Sequence, residues 1–365
     1  MDTNSLTTSV DSSKADLVFD ELKAIDTKIN ACNGLPEDLK QKALQMLQRV
    51  NRMAKLGSYS SEFEILSKYV EVIVQIPWVV RTDDKLEIEY AKNVLETHHF
   101  GIVDVKERIV EYLSTMILNK KRGENAISKS PVILFVGLQG IGKTTISISI
   151  AEALQRKFVR IAMGGLGSVT ELRGRSRVYP EAEPGQIVKA LIKSGVKNPV
   201  ILLDEIDKTS GSEGLRFDFM AVLLEILDPA QNNAFRDQYL DYPLDLSEVM
   251  FICSANYTNT ISAALMDRME VIKMSAYTDQ EKIQIAKKYL FPGIVKNAGL
   301  KPEELTIDET LWINVVRPFG FDAGIRTLQR TLEGVTRKVA REIVEGKSTA
   351  VHLTNENIKM YLPKY

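Results

Sequence analysis

The sequence contains few cysteines and histidines, and its net charge is close to zero. Cys32 and Cys253 are the only cysteines in 365 residues, which is too few for a disulfide framework, and they lack metal-ligand spacing. The three histidines, at positions 98, 99 and 352, show no metal or catalytic spacing either. The 47 basic and 48 acidic residues leave a formal net charge of -1. We therefore expect a reducing compartment, and nucleic acid is not indicated as a partner.

Long apolar runs are also absent. The most hydrophobic stretches are short and strand-like, well below the length of a membrane span. Residues 1–22 are rich in Ser and Thr but acidic and without Arg, so they resemble neither a signal peptide nor a mitochondrial presequence. We expect a cytoplasmic protein with no membrane partner; the mitochondrial matrix stays open if the chain is a processed or truncated form. The 44% of apolar residues can form sizeable cores in two or three domains.

Residues 137–144 read GLQGIGKT and directly follow the apolar run PVILFV, which predicts a turn between a buried strand and a helix. In that context G-x-x-x-x-G-K-[ST] is a phosphate-binding loop. Its glycines let the backbone point successive N–H groups inward, and the helix N-terminus adds partial positive charge. Lys143 can reach the outer phosphates, and the Thr144 hydroxyl can bind Mg²⁺. The predicted nucleotide-binding residues are Gly137, Leu138, Gln139, Gly140, Ile141, Gly142, Lys143 and Thr144.

A second apolar strand, residues 199–204, ends in two carboxylates. Mg²⁺ needs a hard oxygen ligand beside the phosphates, and a second carboxylate can polarise the attacking water. We assign the first role to Asp204 and the second to Glu205. A solvated strand end and an ordinary glycine-rich connection are the alternatives for the two motifs taken singly. Together they predict a nucleoside triphosphatase that hydrolyses its nucleotide.

Three regions of different pattern follow one another along the chain. Residues 1–92 form a tail and a helical region, residues 93–275 alternate helices with short strands, and helices dominate residues 276–365, where strands vanish. The alternation in the middle region predicts an α/β domain of three layers with a mostly parallel sheet.

Several segments together resemble the ATPase module of Lon proteases. They are LLDEIDK, VLLEILDPAQNNAFRDQYLDYPLDLSEVMFICSANYTN and LMDRMEVI. Upstream, SKYVEVIVQIPW and HHFGIVDVKERIVEYL resemble the end of the family's helical N-terminal region and the helix that enters its nucleotide domain; downstream, FGFDAGIRTLQRTLEGVTRKVAREIV resembles its helical lid. The resemblance implies a P-loop AAA+ three-layer domain with a parallel sheet, preceded by a helical region and followed by an all-α lid. It also implies ATP and Mg²⁺ as cofactors.

At matching positions the resemblance implies further site residues. Asn256 matches the sensor that orients water, Arg268 the arginine finger that a subunit inserts into its neighbour's site, and Arg326 the lid arginine that contacts nucleotide in its own subunit. An always-charged guanidinium suits the stabilisation of charge on a transferring phosphoryl group. With Glu205 these three form the predicted catalytic set. Residues 100–102 match the stretch that lines the adenine pocket.

The resemblance also implies a surface that grips polypeptide. Tyr179 matches the aromatic pore-loop residue with which such rings pull substrate. The chain departs from the family at Pro180 and Glu181, where the family has an aliphatic residue and glycine. It departs again in a second pore loop, at residues 215–225, where Phe217 and Phe219 stand in place of glycine and proline. If Tyr179 does not grip substrate, these two phenylalanines are the next candidates.

The expected partners follow from the same resemblance: unfolded or damaged protein substrates, and further copies of the chain in a homo-oligomeric ring, a hexamer. In the family a serine-lysine peptidase domain follows the lid, and no peptidase motif occurs in these 365 residues. We expect that domain downstream or in trans, which makes the chain the ATPase portion of a Lon-type protease in protein quality control.

Two other functions stay open. One is a stand-alone AAA+ unfoldase or remodelling ATPase without proteolysis. The full-length reading frame would distinguish it from the ATPase portion of a Lon-type protease. The other is a regulatory or scaffold protein that binds nucleotide without hydrolysing it. The presence of Glu205, Asn256 and Arg268 argues against that function.

Overall fold

A parallel sheet of five strands stands at the centre of the computed structural model, which describes residues 20–55, 61–122, 131–179, 181–208, 213–317 and 324–363. The strands in the described ranges are β1 Val132–Val136, β2 Phe158–Ala162, β3 Val200–Asp204, β4 Phe235–Asp237, β5 Tyr242–Leu244, β6 Met250–Ala255, β7 Met269–Lys273, β8 Leu305–Ile307 and β9 Val351–Leu353. The central sheet has the strand order β2-β3-β6-β1-β7. The interior strands β1, β3 and β6 are nearly continuous apolar runs, as a sheet covered on both faces requires.

Helices precede this sheet, cover its two faces and follow it. Before it lie residues 20–31, Glu37–Lys55, Ser61–Gln75, Ile88–His98 and Val103–Lys121. Between its strands lie Lys143–Ala153, Val169–Arg173, Gln186–Ser194, Glu213–Leu227 and Ala263–Met266. After it lie Asp279–Ile285, Phe291–Asn297, Trp312–Val316, Arg326–Val344 and Ile358–Tyr361.

Alternate residues of the strands pack into two separate cores. Ile133 and Phe135 of β1 lie in one core with Ile146, from the helix after the phosphate loop. Leu134 lies in the other core with Ile201. Successive side chains of a strand point to opposite faces, so each strand contributes to both cores. This is the three-layer α/β arrangement that the sequence predicts.

The helical region before the sheet packs against a small hairpin, β4–β5, that the sequence did not predict. The Tyr69 hydroxyl donates to the Leu240 carbonyl at 3.3 Å, and the Trp78 ring meets the Tyr242 ring edge-on at 6.0 Å between centroids. The helix Ile88–His98 crosses the predicted boundary at residue 92 and packs on the helix after the phosphate loop. The division at residues 92 and 275 stays a prediction.

The lid is helical and has an apolar core of its own. It also contains the short parallel pair β8–β9, so the expectation that strands vanish after residue 276 is wrong in this detail. Strands of three residues are too short to show a period of two in the sequence. Within the described ranges, no helix combines the length and the apolar character that a membrane crossing needs.

The predicted second pore loop needs a correction. Residues 215–225 lie within the helix Glu213–Leu227. Phe219 is fully buried in the core against the sheet, so it has no surface with which to grip a substrate. The side chain of Phe217 and the residue Pro180 lie outside the described part of the chain.

Candidate active site

The phosphate loop connects β1 to the helix Lys143–Ala153, as its motif requires. Gly140 and Gly142 have φ angles of +79° and +98°, in the left-handed region that side chains rarely allow. At Gly137 an added Cβ would lie 2.5 Å from the Met274 carbonyl oxygen. Two glycines are therefore needed for the backbone conformation of the loop and the third for a close approach between chain segments.

The Lys143 side chain folds against the loop that carries it. Its Nζ donates to the Gly137 carbonyl, to the Leu138 carbonyl at 3.0 Å and to Asn256 Oδ1 at 3.0 Å. Burial lowers the pKa of the Lys143 ammonium, and the charge of Asp204 acts in the opposite direction. Charged phosphate oxygens are stronger acceptors for an ammonium than these neutral oxygens, so Lys143 is suited to exchange them for a triphosphate.

The carboxylate of Asp204, at the end of β3, is held from two sides. Arg160 Nε on β2 donates to Asp204 Oδ2 at 2.6 Å, and Ser254 Oγ on β6 donates to Oδ1. The register of β2 and β3 pairs Ala162 with Asp204 and Arg160 with Leu202, which puts Arg160 and Asp204 on the same face of the sheet. Neighbouring strands thus fix the orientation of the predicted magnesium ligand.

Glu205 has a φ of +60°, in the left-handed region, which is uncommon for a residue with a side chain. Its N–H donates to Ser254 Oγ at 2.9 Å, and its carboxylate accepts from Lys208 Nζ at 2.8 Å. Backbone strain of this kind clusters at functional sites. Glu205 is part of the lining of the cavity that Lys143 and Asp204 also line.

A cavity of about 310 Å³ opens between the phosphate loop, the acidic end of β3 and the lid. Its lining joins charged and polar groups to aromatic and apolar side chains, which is the combination that a nucleotide needs. Of the predicted adenine stretch, residues 100–102, it includes Phe100. The lining residues are His98, His99, Phe100, Gln139, Gly140, Gly142, Lys143, Thr144, Thr145, Asp204, Glu205, Tyr277, Ile285, Tyr289, Leu290, Ile325, Arg326 and Gln329.

His99, which has no catalytic spacing in the sequence, is a buried member of this lining. Its Nε2 lies 2.9 Å from Ser149 Oγ, on the helix after the phosphate loop. Burial lowers the pKa of His99 to about 4, and the neighbouring charges of His98 and Lys106 act in the same direction. At neutral pH the cavity therefore presents an uncharged imidazole beside its aromatic residues.

The lid reaches the phosphate loop through one backbone and one side-chain hydrogen bond. The Ile325 N–H donates to the Gly140 carbonyl at 2.9 Å, and the Tyr277 hydroxyl donates to the Ile141 carbonyl at 3.2 Å. These contacts place Arg326, the next residue and the first of its helix, in the cavity lining. A lid arginine at that position can contact a bound nucleotide in its own subunit.

The other two predicted catalytic residues lie in different surroundings. Asn256 is buried, contacts Lys143, and has its N–H fixed by Asp207 Oδ2 at 3.0 Å. Arg268 is not part of the cavity lining; its Nη1 pairs with Asp228 Oδ1 at 3.0 Å, and its side chain is 49% exposed. Exposure away from its own cavity is what a residue acting on a neighbouring subunit requires.

Tyr179, the predicted pore residue, is also separate from the cavity lining. It is 54% exposed, and Val178 beside it is 88% exposed. The Arg175 guanidinium lies 4.8 Å from the centroid of the Tyr179 ring, which is cation–π distance. An aromatic and an aliphatic side chain are thus available to a second molecule at this loop.

The donor set fits a magnesium ion that arrives with the nucleotide. Thr144 and Asp204, the predicted ligands, both line the cavity. No group of three or more His, Cys, Asp or Glu side chains in the described ranges could hold a metal by itself. Mg²⁺ usually takes one or two carboxylates from the protein and completes its shell with phosphate oxygens and water.

Four residues that bond to Asp204, Glu205 or Asn256 were not predicted: Arg160, Asp207, Lys208 and Ser254. Lys208 follows Glu205 by three residues, and this spacing next to the acidic motif was a signal that the sequence offered. Arg160 and Ser254 reach Asp204 from neighbouring strands. Their proximity depends on the order of the strands in the sheet, which local sequence patterns do not reveal.

Comparison with known proteins matches two parts of the chain to described families. Residues 133–276 match the ATPase family associated with various cellular activities (AAA), and residues 296–351 match the Lon protease AAA+ ATPase lid domain. The chain is 42% identical over 361 residues to Lon protease 2 of Thermus thermophilus, covering 94% of this chain and 45% of the relative. It is 41% identical over 333 residues to Lon protease of Halothermothrix orenii, covering 91% and 41%. For Lon protease 1 of Bacillus subtilis the identity is 39% over 344 residues, covering 94% and 43%.

The chain therefore spans less than half the length of these curated relatives. The AAA match contains the phosphate loop, the acidic end of β3, Asn256 and Arg268, and the lid match contains Arg326. The cavity lies where these two matched domains meet. The chain thus contains an ATPase domain of the AAA family followed by a lid domain of the Lon protease type.

Proposed function

We propose that this chain uses ATP hydrolysis to unfold protein substrates and translocate them, as the ATPase module of a Lon-type protease in protein quality control. One observation carries the proposal: Lys143, Asp204, Glu205 and Arg326, from three separate segments of the chain, line one cavity. A cavity built only to bind a nucleotide would not need a carboxylate such as that of Glu205, carried on a left-handed backbone, beside the phosphate loop.

Each of these side chains has a role that its surroundings support. Lys143 leaves the Leu138 carbonyl and binds the outer phosphates, while Thr144 and Asp204 hold Mg²⁺. The ion, when bound, neutralises charge across the phosphate oxygens. Glu205 orients the attacking water and accepts its proton. The Lys208 ammonium at 2.8 Å holds the Glu205 carboxylate in the resting site.

Three further residues complete the proposed mechanism: Asn256 beside the phosphate loop, Arg326 from the lid and Arg268 from a neighbouring subunit. Asn256, fixed by Asp207, orients the water from the side of Lys143. Arg326 stabilises phosphate charge within its own subunit, and Arg268 does so in the next subunit of a homo-oligomeric ring, a hexamer. The exposure of Arg268 supports its assignment to the neighbouring subunit's site, because a side chain confined to its own cavity could not reach a second copy.

The substrates and the proteolytic step belong to the proposal as well. Tyr179 and Val178 offer exposed apolar surface that can contact unfolded or damaged polypeptide. The relatives carry the name Lon protease, so we propose that a peptidase domain acts on the translocated chain, either downstream on the same polypeptide or in trans. A stand-alone AAA+ unfoldase is the second candidate, and sequencing past the codon for Tyr365 separates the two.

The chemistry is tested by comparing Glu205→Gln with Lys143→Ala. Because Gln retains the shape of Glu but cannot accept a proton, Glu205→Gln should bind ATP like the parent and hydrolyse it at least about a hundredfold more slowly. Lys143→Ala should weaken ATP binding itself by about tenfold or more. Binding is measured by equilibrium titration with a fluorescent ATP analogue, and hydrolysis by phosphate release.

A matched control is Glu89→Gln, which removes another carboxylate that pairs with a lysine three residues away. This surface pair is remote from the cavity lining, so the variant should keep the parental rate. Parental turnover by Glu205→Gln would show that this carboxylate is not the catalytic base. Undetectable hydrolysis by the parent at concentrations where rings form would instead favour a scaffold that only binds nucleotide.

A further inference from the structure

A buried aspartate joins the Tyr179 loop to the β4–β5 hairpin. Asp237, the last residue of β4, is fully buried. Its Oδ2 accepts the Gly185 N–H at 2.8 Å, and its Oδ1 accepts the N–H groups of Tyr239 at 2.8 Å and Leu240 at 3.0 Å. One carboxylate thus caps the turn of its own hairpin and holds the far end of the Tyr179 loop.

The two ends of this loop meet in a closed neck, which we define as Arg173, Arg175, Glu183 and Gly185. The Arg175 N–H donates to the Glu183 carbonyl at 2.9 Å, which pairs the two ends with each other. The Gln238 N–H donates to the Arg173 carbonyl at 2.8 Å. The hairpin therefore bonds to both ends of the loop, at Arg173 through its backbone and at Gly185 through Asp237.

Close packing of glycines leaves the neck no freedom to shift. Gly174 has a φ of +83°, and a Cβ there would lie 2.6 Å from Asp237 Oδ1. A Cβ at Gly185 would lie 2.6 Å from the Gly174 nitrogen. The backbone can approach the buried carboxylate this closely only because neither residue has a side chain.

A short segment of chain connects the loop to the surroundings of Glu205, the proposed catalytic base. Gly164 lies beside Glu205, where a Cβ would be 3.4 Å from Glu205 Oε2. From there the chain passes through the short helix Val169–Arg173 directly into the neck. A movement that begins at the phosphate site can therefore be transmitted to the Tyr179 loop through this short segment of chain, provided that the neck stays closed.

We propose that Asp237 is a positioning residue for substrate gripping: it keeps the neck closed, so that the loop and the hairpin move as one unit and Tyr179 transmits force to polypeptide. This role rests on the proposed function. A loop tip can pull only if its ends are fixed, because a load on a loop with free ends would extend the loop before it moved the substrate. The neck fixes the ends through one buried acid.

Two variants open the neck in different ways. Asp237→Asn retains an oxygen for the Tyr239 and Leu240 N–H groups but can place an amide NH₂ against the Gly185 N–H, which is a donor facing a donor. Gly174→Ala leaves the carboxylate unchanged and adds a Cβ against it. If the first variant fails to fold, the second still tests the neck. Thermal unfolding establishes that each variant is folded.

Asp245→Asn is the matched control. Asp245 also caps a turn next to the hairpin, where its Oδ1 accepts the Ser247 N–H at 2.9 Å, and it pairs with Lys197 at 3.2 Å. These contacts lie outside the neck. If the effect of Asp237→Asn came only from the loss of a charge or of a turn cap, Asp245→Asn should show the same effect.

The state of the neck is measured by limited trypsin digestion, with mass spectrometry following cleavage after Arg175 and Arg177. Loss of one buried hydrogen bond should raise the cleavage rate about tenfold in both neck variants, and Asp245→Asn should match the parent. This measurement needs neither ATP nor substrate. Parental cleavage rates in both neck variants would overturn the inference.

The role in gripping is measured by ATP-driven unfolding of a fluorescent model protein that carries an unstructured tag. The neck variants should keep basal ATP hydrolysis within about twofold of the parent, and they should raise the KM for the tagged protein and the ATP consumed per unfolded molecule about fivefold. An opened neck with parental KM and coupling would overturn the role of Asp237 alone. A parent that hydrolyses ATP without unfolding the tagged protein would overturn the proposed function together with this role.

Discussion

Acid should destabilise the nucleotide cavity through one buried imidazole, that of His99. In the folded chain the pKa of His99 falls to about 4, whereas its ordinary value is 6.5, because burial disfavours the charged form. The unfolded chain therefore takes up a proton at this residue first. Stability from the neutral imidazole is complete above about pH 6.5 and is lost as the pH falls from 6.5 towards 4.

The size of the loss follows from these two pKa values. At pH 5.5 the unfolded chain carries the proton about ten-elevenths of the time and the folded chain almost never, which lowers the free energy of unfolding by about 1.4 kcal/mol relative to pH 7.5. Over the whole interval the loss reaches about 3.4 kcal/mol. For a domain of this size, 1.4 kcal/mol corresponds to a fall of about 3–6 °C in Tm.

The assay compares thermal unfolding at pH 7.5 and pH 5.5, without nucleotide, in the parent and in His99→Gln. Gln can still donate to Ser149 Oγ but does not titrate. The part of the fall in Tm between pH 7.5 and pH 5.5 that His99 causes, about 3–6 °C, should therefore disappear in that variant. His98→Gln is the control, because His98 is about half exposed and pairs with Glu152 at 3.3 Å. It should retain most of the His99 contribution, because burial is the largest cause of the lowered pKa of His99. Equal acid losses in the parent and His99→Gln would refute the reasoning.

Three further predictions test the ring, the grip and the core. Arg268→Ala chains mixed with Lys143→Ala chains should recover part of the ATPase activity that each lacks alone, and activity per chain should rise with concentration; a rate independent of concentration in a monomeric sample would contradict a shared site. Tyr179→Ala should slow the unfolding of a tagged protein at least about tenfold and change Tm and ATP turnover far less, whereas parallel losses of all three would assign Tyr179 to packing. Phe219→Ala should lower the free energy of unfolding by about 3–5 kcal/mol in a denaturant titration, because the ring is fully buried. A Phe219→Ala variant that keeps the parental stability but no longer unfolds the tagged protein would instead assign Phe219 to substrate gripping.

Local patterns in the sequence were sufficient to predict the phosphate loop and a mostly parallel central sheet, although β7 at the edge of that sheet was not predicted as a strand. The run PVILFV became β1, and the glycine motif after it became the turn into the helix Lys143–Ala153. Buried parallel strands are continuous apolar runs, and phosphate loops have a fixed spacing, so both leave a signal within about ten residues. The AAA and lid matches confirm the fold that these signals predicted.

Features that depend on contacts between distant segments were missed. Arg160 meets Asp204 only because β2 and β3 pair in one register. The β4–β5 hairpin and the β8–β9 pair consist of strands too short to show periodicity. Phe219 was placed on a loop by its family position, yet apolar residues at helical spacing bury it beneath the sheet. His99 was not predicted to line the cavity, because the histidines show no metal or catalytic spacing in the sequence.

The central claim is that hydrolysis in this cavity drives the unfolding of protein substrates. The most direct measurement follows phosphate release and the fluorescence of a tagged model protein in one sample, at a concentration where rings form. We expect the parent to extinguish fluorescence only while it hydrolyses ATP, and Glu205→Gln, which still binds ATP, to leave the model protein folded. Unfolding by Glu205→Gln at the parental rate, or steady hydrolysis by the parent with no loss of fluorescence, would contradict the claim.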